Sequence, residues 1–186
     1  MKTPVALLAT AFIAAACSQT NSSGSSMSTV GYAFAPPAAN AFCASQPHLC
    51  STAGSARTAT LTGAKMEELK QVTASVNSSI RQREDAETVG REDDWRLPTT
   101  GVGDCEDLAI LKKNELRKRG WPASTLLLTV ATYRGIGHTV LTVRTDKGDF
   151  ILDNLNNSVK NWSRTPYRYF ARQSQSETGR WMRIGA

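Results

Sequence analysis

Three residues have the types that nucleophilic catalysis needs: Cys105, His138 and Asp153. Cys105 follows Gly101-Val102-Gly103-Asp104 and opens a segment with helical spacing. The thiolate is the reactive form of cysteine, and the partial positive charge at a helix N-terminus lowers a thiol pKa. Gly101 and Gly103 let the backbone turn tightly and come close to another molecule. Asp104, Glu106 and Asp107 flank the thiol, which argues against an apolar pocket around a structural cysteine. These acids also oppose thiolate formation, so a counter-charge is required nearby. The chain has two histidines. His48 reads as a surface residue. His138, behind Gly135-Ile136-Gly137, is the base available to a lone thiol.

Asp153 supplies the orienting group. A hairpin centred between residues 145 and 146 places His138 directly opposite Asp153, with Cβ atoms about 5 Å apart. A tight turn on Lys147-Gly148 would instead separate the pair by about 13 Å. The catalytic reading therefore expects the register centred on Thr145-Asp146. The bland alternative is that Asp153 starts a turn with Asn154.

These residues need elements to hold them. Met66, Leu69, Val72, Thr73, Val76 and Ile80 recur on one helical face and predict a helix over 63–83, with Thr62 as N-cap. Residues 83–103 read as a loop in which Trp95 packs on the domain. A second helix is expected over 105–119, with Leu108, Ala109, Leu111 and Leu116 apolar, Asp104 as N-cap and Gly120 as the stop. Lys112, Lys113, Arg117, Lys118 and Arg119 suit the negative end of its dipole. The period then falls to two over 125–132, 138–144 and 149–153, which predicts three strands. Residues 182–184 read as one more edge strand. Helices followed by an antiparallel sheet make an α+β domain.

The N-terminal region has another character. Lys2 followed by the apolar stretch 5–16 has the layout of a secretory signal peptide, expected over 1–17. Cys17 after small residues resembles a lipoprotein cleavage site, with Ala14 where Leu is usual. Lipid on Cys17 would tether the domain to a membrane without spanning it. Residues 18–30 are Ser/Gly-rich and read as a flexible tether. Residues 31–60 are expected to wrap the surface with little regular structure. Cys43 and Cys50 are expected to pair in the oxidising compartment that export implies, leaving Cys105 free. No apolar run reaches the length of a permanent membrane span. The net charge of +6 is too modest to argue nucleic-acid binding. Lys160, Arg164, Arg168, Arg172, Arg180 and Arg183 face Glu177 alone in the last segment, which reads as a solvated face or as a contact for acidic partners or phospholipid head groups.

GVGDCEDLAILKKNEL, GHTVLTV and GDFILDNL, in that order, resemble the bacterial transglutaminase-like cysteine peptidases, including the LapG-type periplasmic proteases. The resemblance spans residue 31 to the C-terminus and includes FCASQPHLC and DDWRLP. It implies a papain/transglutaminase-like fold, with a Cys-bearing helix packed on an antiparallel sheet. It also implies Cys105 as nucleophile, His138 as base and acid, and Asp153 as orienting group. The implied chemistry is acyl transfer, with the Cys105 backbone N–H and Trp95 as oxyanion donors. Thr139 and Leu108 depart from the family pattern, where Ala and an aromatic residue are common. LapG-type enzymes bind calcium through acids beside the Cys, which makes Asp104, Glu106 and Asp107 calcium candidates, and carboxylates are ligands that Ca²⁺ prefers. The expected partners are a protein substrate in the cell envelope, an adhesin by analogy, and a regulator in the inner or outer membrane. Transglutaminase-type acyl transfer and a catalytically silent binding module are the other readings, and the triad does not separate hydrolysis from transfer.

Overall fold

In the computed structural model, which describes residues 26–85 and 93–185, one helix carries both the thiol and much of the core. That helix, α4 (Cys105–Lys118), buries Leu108, Ala109, Ile110 and Leu116. It lies between a second long helix, α3 (Gly63–Ser79), and the sheet. Truncating a buried Leu such as Leu108 to Ala would cost about 2–5 kcal/mol. Thr62 caps α3, its side chain accepting from Lys65 N–H at 3.2 Å. The helix ends at Ser79, before the expected boundary, because residues 81 and 82 pair as β2 (Arg81–Gln82) with β3 (Val102–Gly103), just ahead of Cys105.

The main sheet has seven strands. Its members are β1 (Thr29–Ala33), β4 (Leu126–Tyr133), β5 (Ile136–Thr145), β6 (Gly148–Leu152), β7 (Lys160–Asn161), β8 (Arg168–Gln173) and β9 (Trp181–Ile184). Their order is β1-β9-β8-β4-β5-β6-β7, with antiparallel neighbours throughout. The α+β expectation holds. The N- and C-terminal stretches hold more structure than expected: β1 forms the sheet edge, and β8 lies inside the sheet between β4 and β9.

Two expectations about the early chain need correction. The flexible tether does not extend to residue 30, because Met27 is buried, its N–H donates to Asp149 Oδ2 at 3.0 Å, and β1 begins at Thr29. The 31–60 region contains α1 (Pro37–Ser45) and α2 (Pro47–Cys50). A Cys43–Cys50 disulfide joins these helices, as expected. The signal peptide, Cys17 and residues 18–25 lie outside the described residues. No described helix is long and apolar enough to cross a membrane.

The expected hairpin register is also corrected. Thr145 pairs with Gly148 and Leu141 with Leu152, so the turn is Asp146-Lys147, one residue later than expected. Gly148 adopts φ +105°, a conformation that favours glycine. A distant segment fixes this turn: Asp146 Oδ1 accepts Leu61 N–H at 2.8 Å, and Asp146 N–H donates to Ala59 O at 3.0 Å.

The basic C-terminal segment is not wholly a solvated face. Arg172 is buried, and its Nη1 donates to Asp149 Oδ2 at 2.7 Å while Nη2 donates to Met27 O at 3.1 Å. Lys112 and Lys113 do not serve an exposed helix end either, since both are fully buried. Lys113 Nζ donates to Gln173 Oε1 at 2.8 Å, tying α4 to β8.

Candidate active site

Cys105 stands at the first position of α4, beyond Gly103. Gly103 is required by close approach: a Cβ there would lie 2.7 Å from Asp107 Oδ2. Gly101 adopts φ +74°. Asp104 occupies the N-cap position but makes no side-chain capping bond. Its carboxylate joins an acidic cluster instead.

His138 lies in β5, and Asp153 follows the last residue of β6. His138 Nε2 and Asp153 Oδ1 are 2.9 Å apart, and both residues are buried. Asp153 also accepts from Leu155 N–H at 3.2 Å, from Asn156 Nδ2 at 3.3 Å and from the Tyr167 hydroxyl. Burial alone would raise the Asp153 pKa, but the hydrogen bonds from His138 and Tyr167 outweigh it and hold the carboxyl below its ordinary value.

The half-buried Cys105 Sγ accepts Thr139 N–H at 3.3 Å, from the residue next to His138, and donates to Glu106 Oε2 at 3.1 Å. Among the described residues no hydrogen bond joins Sγ to the His138 ring. Burial and the adjoining Glu106 carboxylate push the thiol pKa up, while Thr139 N–H works in the other direction. Lys112 lies two turns along α4 from Cys105. Burial pulls its ammonium down to about 7, against the opposing influence of Asp153 and Cys105. The Lys112 amine thus lies buried near Asp153 and Cys105, where charge patterning had assigned it to the helix dipole.

Two adjoining clefts, of about 510 and 360 Å³, share Glu84, Asp104, Cys105, Ile136, Gly137 and His138. Leu155, Tyr133 and Gln82 extend the larger. Pro36, Trp95 and Thr139 extend the smaller. A chain crossing Cys105 would run from one into the other.

The acidic residues divide differently from the expectation. Carboxylate oxygens of Asp85, Asp104 and Glu106 lie within 4.8 Å of one another. Asp107 is not one of these three: its Oδ1 accepts Arg96 N–H at 2.9 Å, and its Oδ2 lies 3.5 Å from Arg96 Nε. Arg96 Nη1 reaches Asp85 Oδ1 at 3.0 Å and so joins Asp107 to the cluster's edge. Burial raises the Asp107 pKa to about 7, against the pull of Arg96. Burial and mutual repulsion raise those of Asp104 and Glu106. Asp104 Oδ1 is buried with no hydrogen-bond partner, so the donor set fits a hard cation. Asp85 was missed because nothing in its local sequence links it to residues 104–106; β2–β3 pairing brings it there.

Trp95 lines the smaller cleft, but its indole N–H donates to Asp93 Oδ1 at 2.8 Å. Its ring meets Trp181 edge-on at 6.2 Å. An oxyanion role for the Trp95 N–H would require this bond to Asp93 to open. The Cys105 N–H, in the first turn of α4, has no helical carbonyl to bond.

The family comparison adds to this geometry. The model of the bacterial transglutaminase-like cysteine proteinases matches residues 29–186. The chain belongs to this family. This cysteine peptidase has no match among curated proteins. Its fold is similar to calcium-bound Legionella pneumophila LapG, at TM-score 0.56 and 24% identity, covering 82% of this chain and 84% of that one. It is also similar to EGTA-treated LapG from the same organism, at TM-score 0.55 and 25% identity, covering 82% of this chain and 83% of that one. As a peptidase it acts on protein.

Proposed function

We propose that this peptidase is exported and cleaves a cell-envelope protein through a thioester intermediate, with Cys105 as nucleophile, His138 as base and acid, and Asp153 as orienting group. The observation that carries this reading is the 2.9 Å His138–Asp153 contact beside a helix-tip cysteine in one cleft. The ionised Asp153 favours the tautomer with the proton on Nε2, which leaves the Nδ1 lone pair as the base. His138 takes the thiol proton. The thiolate attacks a peptide carbonyl carbon, a C–S bond forms, and the π electrons move to oxygen. The Cys105 N–H donates to that oxyanion. His138 then protonates the amine as the C–N bond breaks. Water, giving its proton to His138, cleaves the thioester and the thiol is restored.

Asp85, Asp104 and Glu106 are the residues that would hold Ca²⁺, consistent with a calcium-bound form of LapG. Bound calcium would supply positive charge that offsets the acids around the thiolate. The apolar stretch 5–16 supports export, and Cys17 supports a membrane tether. A large surface adhesin is the substrate suggested by analogy.

The test compares envelope proteins from cells carrying the wild-type chain or Cys105→Ala. Specific proteins should be shorter only with the wild type. An unchanged profile would contradict the reading, and cross-links to an added primary amine would replace hydrolysis with transfer.

A further inference from the structure

Tyr167 lies outside every motif that marks the site, between β7 and β8. Its hydroxyl donates to Asp153 Oδ2, the oxygen that His138 does not use. Its ring centroid is 5.0 Å from that of His138, tilted by 55°. One side chain therefore touches both members of the pair. The ring is itself held edge-on by Tyr133 at 5.5 Å and Tyr169 at 6.1 Å.

An aspartate carboxylate turns about a broad, roughly two-fold torsion. His138 and Leu155 N–H hold Oδ1, and on Oδ2 the Tyr167 hydroxyl is a closer donor than Asn156 Nδ2 at 3.3 Å. The closer donor on Oδ2 does most to fix the carboxylate plane. An aromatic ring against the imidazole also keeps water from competing for the Nε2–H, and hydrogen bonds strengthen where water is excluded. We propose that Tyr167 is a positioning residue, its hydroxyl fixing the Asp153 carboxylate toward His138 and its ring shielding their hydrogen bond. This rests on the Cys105–His138–Asp153 reading above.

The experiment follows the His138 ring N–H by nitrogen–proton NMR and the alkylation of Cys105 by iodoacetamide, in the full chain. His48, the other histidine, is exposed, so its ring proton exchanges rapidly. Wild type should show a slowly exchanging Nε2–H. Tyr167→Phe keeps the ring, and it should speed exchange and slow alkylation, each by about tenfold, the scale of one lost hydrogen bond to a charged group. Tyr169→Phe removes a hydroxyl 2.7 Å from Thr165 Oγ1, and both readouts should stay at wild-type values. The proposal is overturned if Tyr167→Phe matches wild type, or if Tyr169→Phe matches Tyr167→Phe. Asp153→Asn separates the two levels. If it impairs both readouts and Tyr167→Phe does not, only the positioning role fails. If Asp153→Asn changes neither, the triad itself fails.

Discussion

His138 and Asp153 are hydrogen-bonded at 2.9 Å without being directly opposed in their hairpin. Continuing the Leu141–Leu152 register by one pair puts Val140 opposite Asp153. His138 is thus the diagonal neighbour, two residues further along β5 and on the same face. Diagonal pairs have Cα atoms about 7–8 Å apart, a distance that an imidazole and a carboxylate can bridge. The two-residue offset preserves the face, whereas an offset of one would have put the groups on opposite sides of the sheet.

This contact makes stability depend on acid in a defined direction. The native Asp153 carboxyl titrates below its ordinary 3.8. A depressed native pKa contributes stability above the unfolded value, and that contribution is lost as pH falls through the native one. The stability gap between wild type and Asp153→Asn should be widest near neutrality and shrink below about pH 4. Urea denaturation across that range measures it, and a gap independent of pH would count against the contact.

Calcium should stabilise the folded chain. At a free concentration 100 times the dissociation constant, binding to the native state contributes about 2.7 kcal/mol, seen as a rise in melting temperature. The rise should disappear with EGTA and in a chain carrying Glu106→Gln and Asp104→Asn. Asp107→Asn should retain it, because Asp107 bonds Arg96 and is not among the three convergent carboxylates. A rise unaffected by the double substitution would place the cation elsewhere.

The Asp149–Arg172 pair should be costly to break from one side. Asp149 also accepts Met27 N–H and an Arg144 Nε bond at 3.2 Å, so it joins the first described residues to the sheet. Asp149→Ala strands a buried guanidinium and should destabilise by about 3–5 kcal/mol. Adding Arg172→Met should recover much of that loss. Denaturant midpoints for the two variants decide the matter, and equal losses would assign the effect to Met27 instead.

The parts of this fold written locally were legible. The apolar spacing of α3 and α4, the Thr62 cap and the alternation of β4 to β6 depend on neighbours within a few residues. Cys105 and His138 stood out because Cys and His are scarce in the chain, and Asp153 because it ends the expected strand that follows His138's. Strand β8 was hidden because Arg172 and Gln173 are buried, and their partners Asp149 and Lys113 lie far away in sequence. Lys112 was misplaced for a related reason: it is buried next to Asp153, which follows a strand far along the chain, and its place on the helix does not reveal that burial. The register slipped by one residue because Asp146 answers to Ala59 and Leu61, which no turn rule contains.

The most direct test of the central claim is the rate at which iodoacetamide alkylates Cys105 in the calcium-loaded chain, compared with His138→Ala at the same pH. A thiol activated by His138 should react rapidly in the wild type and at least tenfold more slowly in the variant, given that general-base assistance contributes about 10²–10⁴-fold. Equal rates in the two proteins would mean that the imidazole does not activate the sulfur, and the proposed mechanism would be wrong.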